Sequence, residues 1–98
     1  MVNFHEDKLW QEAYVILMDL EEPELVVSAQ EIAATIADSL TRQDRRIGRD
    51  LMQKAIGLVA KTRTLLAVLW GKGRMDDETF RSLDDRYAHL SSSLQSFR

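Results

Sequence analysis

Apolar residues return along the chain in steps of three and four, the period of a helix buried on one face. Leu9, Ala13, Ile16 and Leu20 form the first series, flanked by Trp10, Tyr14 and Leu17. Asn3 followed by Glu6 has the look of a capping box, which sets helix 1 at about 4–20. Glu21-Glu22-Pro23 closes it, because proline cannot continue a helix but can open the next. Helix 2, at 24–41, carries Leu25, Ala29, Ile32, Ile36 and Leu40, with Pro23 and the Ser28–Glu31 box as alternative starts. Thr41-Arg42-Gln43-Asp44 forms a further box that opens helix 3 at 43–70. Its stripe is Ile47, Leu51, Ala55, Leu58, Thr62, Leu65 and Leu69, with Gly48 and Gly57 inside as sites of close helix contact or slight bending. Gly71-Lys72-Gly73 is the clearest stop. Asp76 then caps helix 4, at 77–97, with Met75 and Phe80 spaced as a hydrophobic staple. Phe80, Leu83, Tyr87, Leu90, Leu94 and Phe97 follow in 3-4-3-4-3 steps, the spacing of a bundle seam. Short connections make successive helices antiparallel, so the expected fold is all-α, an up-down-up-down antiparallel four-helix bundle forming one domain over 1–98.

Two stretches are apolar all round, Tyr14–Met18 and Leu65–Trp70, whereas one bundle core needs only a stripe from each helix. The surplus predicts a homo-oligomer whose interface takes Tyr14, Ile16, Leu17 and Met18 from helix 1 and Leu66, Val68 and Trp70 from helix 3. The alternative is that Trp70 and its neighbours fold over the end of the bundle. Composition narrows the rest. The chain has no cysteine, which excludes disulfides and thiolate chemistry, and its four glycines and one proline leave little for the turns of a β fold. No apolar run approaches the roughly 20 residues of a membrane span, and residues 1–8 lack a signal-peptide pattern, so the expected location is the cytoplasm.

Charge is sorted along the chain. Residues 1–41 hold nine acids against Lys8 alone, while residues 42–74 hold nine Lys or Arg against Asp44 and Asp50. Arg42, Arg45, Arg46 and Arg49 gather at the start of helix 3, where cations oppose the helix dipole and so serve some other purpose. Guanidinium groups at a helix N-terminus suit phosphate, and Lys54, Lys61 and Arg63 continue the positive charge along the helix. Two readings follow. Either the basic helix is neutralised by the acidic helices, within one subunit or across an interface, or it contacts RNA or another anionic partner.

Phe4-x4-Leu9-Trp10-Gln11-x-Ala13 resembles the opening signature of the small four-helix proteins encoded in intervening sequences of bacterial 23S ribosomal RNA genes. The accessory variability proteins of diversity-generating retroelements are similar to that group. Thr35-Ile36-Ala37-Asp38-Ser39 stands where the family has N-I-A-E-G, Leu51-x3-Ala55-Ile56-Gly57-Leu58 resembles its L-x-x-A-x-G-S-L run, and Gly73-Arg74-Met75 its late G-x-L turn. The chain departs at Glu24-Leu25-Val26-Val27, apolar and acidic where members carry a Q-x-R-R segment, and at Ala33, which stands for a proline. The resemblance implies a ring-like homo-oligomer, typically a pentamer, with no catalysis and with RNA and a reverse transcriptase as partners in the retroelement branch.

Catalytic patterns are missing: no phosphate-cradling glycine loop, nucleophile elbow or H-E-x-x-H occurs. Asp85 and His89 share a helix face but lack the further ligands a bundle metal site needs, and Ser91-Ser92-Ser93 reads as polar flank. The expectation is a non-catalytic assembly and binding protein, without cofactor, metal or small-molecule substrate. The alternative is an oligomeric scaffold or adaptor that binds no nucleic acid.

Overall fold

Residues 3–97 are described by a computed structural model; residues 1, 2 and 98, the ends of the expected 1–98 domain, lie outside it. Over the described residues the fold is all-helical, with four α-helices and no strand. They are α1 (Lys8–Met18), α2 (Pro23–Thr41), α3 (Arg45–Gly71) and α4 (Asp77–Gln95), preceded by a 3-10 turn at Phe4–Glu6.

Helix 1, expected to run unbroken over 4–20, is interrupted. Asn3 caps the 3-10 turn by accepting from the His5 N–H at 3.1 Å, and Asp7, in extended backbone, caps α1 by accepting from the Leu9 N–H at 2.8 Å. Two successive Asx caps divide the segment. Trp10 packs edge-on against Phe4 and His5 and stacks on Tyr14, while the Gln11 side-chain amide donates to the His5 carbonyl at 2.9 Å. The Trp10-Gln11-x-Ala13 motif therefore docks the turn onto α1, and Ala13 enters the core.

Pro23 is the first residue of α2, where its missing N–H costs nothing. Ser28 is not a cap: its hydroxyl lies buried, 2.6 Å from that of Thr62. Thr41 ends α2 instead of opening α3, and Asp44 caps α3 by accepting from Arg46 and Ile47 N–H. At its far end α3 closes in a Schellman motif, with Gly73 N–H donating to Trp70 O, Arg74 N–H to Leu69 O, and Gly73 at φ 73°. Asp76 caps α4 as expected, accepting from Thr79 N–H at 2.7 Å, but α4 ends at Gln95.

Contacts between helices run in opposite order along the chain. Ser28 meets Thr62 and Ser39 meets Gly48, so α2 and α3 are antiparallel. Arg63–Asp84 and Trp70–Asp77 show the same for α3 and α4, as Glu12–His89 and Asp19–Arg86 do for α1 and α4. Among the described residues no Cα of α1 comes within 8 Å of one in α3; the two helices lie diagonally across the core. The core joins Ala13 and Ile16 of α1, Leu25, Ile32 and Ile36 of α2, Val59 and Leu66 of α3, and Leu83, Tyr87 and Leu90 of α4.

The buried stripe of α3 is Gly48, Met52, Ala55, Val59, Thr62, Leu66 and Leu69. At about 100° per residue this face is turned roughly 60° from the expected one. α3 packs against both α2 and α4, and its inward face must point between them. That rotation places Leu66, expected at a subunit interface, inside the chain's own core at 0% exposure. Ile16, expected at the same interface, is 2% exposed for a simpler reason: it lies on the Ala13–Leu20 stripe of α1.

Candidate functional site

The corner between α2 and α3 is built from close backbone approach. Gly48 has no side chain, and a Cβ there would meet the Ser39 carbonyl oxygen at 3.3 Å; the Ser39 hydroxyl donates to the Gly48 carbonyl at 2.6 Å. This contact holds the three-residue link 42–44 tight and fixes the start of α3. Arg42 turns back on Asp38, with Nε donating to Oδ1 at 2.7 Å and a terminal nitrogen to Oδ2 at 3.4 Å. The Arg42 hydrogen bond, helped by the charges of Arg42 and Lys54, holds the Asp38 carboxyl below the ordinary carboxylate range.

Arg45, Arg46 and Arg49 are exposed, and among the described residues none has an acidic partner within ion-pairing distance. At about 100° per residue they occupy one arc of α3 some 100° wide. Neutralisation of these arginines by the acidic helices of the same chain is thus not what the described contacts show. Arg45 and Arg49 line a cleft of about 400 Å³ with Arg42, Asp44 and Gly48, and its far wall is Phe97, just beyond the end of α4. The Asp44 carboxylate faces this cleft too, but it is engaged by two backbone N–H groups at the start of α3.

The other expected cations separate from this group. The Arg63 guanidinium bridges to Asp84 of α4 through two hydrogen bonds, at 2.8 and 3.0 Å, and the bond to Asp84 raises its pKa. Lys54 and Lys61 lie on the opposite edge of α3, roughly 140° around from Arg45 and Arg49. The seven expected contact residues therefore form no single stripe. The sequence places Phe97 only in the core seam, and no local pattern links it to the arginines; the one signal that does is the antiparallel return of helix 4 to the start of helix 3.

Of the expected interface residues, Tyr14 and Met18 are exposed on the outer face of α1, Met18 at 63%, and Val15 joins them. Leu17 is half-buried against the core. Val68 is exposed on α3, on the other side of the molecule from α1. Trp70 stacks on Phe80 with ring centroids 4.6 Å apart and donates its Nε1–H to Asp77 at 2.6 Å, lying over the first turn of α4.

A second cleft of about 510 Å³ opens between α1 and α4, beside Val15 and Ile16. It is bridged by Arg86–Asp19 at 2.9 Å and by His89 Nδ1, which is 2.7 Å from Glu12 Oε2. His89 thus turns to α1 rather than joining Asp85, and among the described residues no three His, Asp or Glu side chains gather as metal ligands. The described helices include none long and apolar enough to cross a membrane.

Fold and corner together define a four-helix, all-α protein with an arginine-lined cleft. Compared with protein-family models, curated proteins and solved structures, the chain matches none of them.

Proposed function

We propose that this protein is a non-catalytic, up-down-up-down helical-bundle binding protein of the cytoplasm that contacts RNA phosphates through Arg45, Arg46 and Arg49. The observation that carries the reading is that these three guanidinium groups are exposed and, among the described residues, have no acidic partner within ion-pairing distance. Phosphate is the ligand that such forked, charge-assisted donors suit. The short motifs shared with intervening-sequence and retroelement accessory proteins favour RNA as its source. By the same resemblance, a reverse transcriptase is the protein partner to try first. The test is anisotropy of a labelled single-stranded RNA, titrated at salt from about 50 to about 200 mM. Changing all three arginines to glutamine is expected to weaken binding strongly and flatten the slope of log affinity on log salt by about 2. Absence of binding by the unaltered protein at the lowest salt rejects the reading.

A second reading rests on a different observation, the exposed Tyr14, Val15 and Met18 on the outer face of α1. Here the protein is a self-associating scaffold, five-membered by the resemblance. Sedimentation velocity separates the two: Met18→Lys is expected to disperse an assembly held by this face, while helicity is retained. A wild-type protein that sediments as a monomer at micromolar concentration removes the scaffold reading.

A further inference from the structure

The arginine cleft has an aromatic wall that the phosphate reading does not use. Phe97 is 37% exposed, although the seam that carries it buries Leu90 and Leu94. The other exposed aromatic rings have partners: Tyr14 stacks on Trp10 and Trp70 on Phe80, whereas among the described residues Phe97 belongs to no ring pair. It lines the same cleft as Arg45 and Arg49. An exposed ring beside two guanidinium groups that, among the described residues, lack an acidic partner is the arrangement single-strand binders use, the ring for a base and the cations for the backbone. The cleft, at about 400 Å³, falls within the size range of small-ligand sites.

We propose that the corner selects unpaired RNA: one base stacks on Phe97 while Arg45 and Arg49 hold the adjoining phosphate. A duplex keeps its bases stacked internally and offers Phe97 nothing, so only the phosphate contacts would remain. The inference rests on the RNA reading above and adds strand selectivity to it. Asp44 lowers the local positive charge without cancelling it: its Oδ1 accepts from the Arg46 and Ile47 N–H groups, and Arg45 and Arg49 together outweigh its single negative charge, while Arg42 pairs with Asp38.

The experiment compares a short single-stranded RNA, its duplex and an abasic strand of equal charge, with 2-aminopurine placed in the single strand. Wild type is expected to bind the single strand best and to quench 2-aminopurine. Phe97→Ala and Phe97→Leu, the second keeping apolar bulk without a π face, are expected to lose about tenfold on the single strand and to abolish quenching. Neither should alter duplex or abasic binding, and Phe97→Trp should restore the single-strand affinity. The pair Arg45→Gln/Arg49→Gln should weaken all three ligands. Unchanged single-strand affinity and quenching in Phe97→Ala overturn the stacking inference and leave the phosphate reading intact. Failure of wild type to bind any of the three overturns both.

Discussion

The Ser39 hydroxyl donates a 2.6 Å hydrogen bond to the carbonyl oxygen of Gly48, tying the last turn of α2 to the first turn of α3. Gly48 and Gly57, away from the C-terminal Gly71 of α3, therefore differ. A Cβ at Gly48 would press on backbone at 3.3 Å, whereas at Gly57 nothing lies within 4 Å. Gly57→Ala is expected to stabilise by about 0.5–1 kcal/mol through helix propensity alone. Gly48→Ala must displace the α2 carbonyl, and its expected outcome is a net loss on the order of 1 kcal/mol. Urea denaturation of both variants checks the contrast, and equal gains would show that the corner gives way freely.

Tyr87 is 1% exposed, and among the described residues its hydroxyl has no hydrogen-bond partner. Burial pushes its phenol up to about 12. In the unfolded chain the group titrates near 10. Between these values the unfolded chain has released a proton that the folded chain keeps, so stability falls as pH rises from about 10 to about 12. The whole loss is on the order of 3 kcal/mol. Tyr87→Phe should remove this component and be neutral or slightly stabilising at neutral pH, since it deletes an unsatisfied buried group. Urea midpoints followed from about pH 8 to 12 for both proteins provide the check, and parallel curves would refute it.

Repeating apolar steps made the four helices legible, and the Asp76 cap and the stop at Gly73 were readable from local chemistry. Side-by-side geometry was not. Leu66 and Leu65 are equally apolar, and only the position of α3 between α2 and α4 decides that Leu66 is the one fully buried. Asn3-x2-Glu6 and Thr41-x2-Asp44 have capping-box spacing, yet Asp7 and Asp44 cap the α-helices, because either could serve and tertiary docking chooses. In the candidate site, the arginine run stands in the sequence itself. That Arg63 is spent on Asp84 depends on the fold, whereas the Arg42–Asp38 pair is an i,i+4 contact already present in the spacing. Phe97 reaches the same cleft only because α4 runs back along α3.

Inside the core, Thr62 Oγ1 donates to Leu58 O at 2.9 Å, so the Ser28 hydroxyl must be the donor in the 2.6 Å contact between the two side chains. Thr62→Val leaves Ser28 without this acceptor and is expected to cost about 1–2 kcal/mol. Combined with Ser28→Ala, the change should recover part of that loss, giving a coupling energy of about 1 kcal/mol in a double-mutant cycle. Strict additivity would mean that the pair is held apart in solution.

The helices are unequal partners. α1 has 11 residues, of which Ala13 and Ile16 are buried, against 27 in α3. Its side toward α4 is bridged by the Glu12–His89 and Asp19–Arg86 pairs across an open groove. Such a segment is expected to come away at lower free energy than the rest, as a brace lifting from a three-helix frame. Hydrogen exchange would then show α1 amides exchanging by a sub-global opening, well before those in the middle of α2, α3 and α4. The Ser39–Gly48 corner belongs to the frame, so its arginines keep their places when the brace is off.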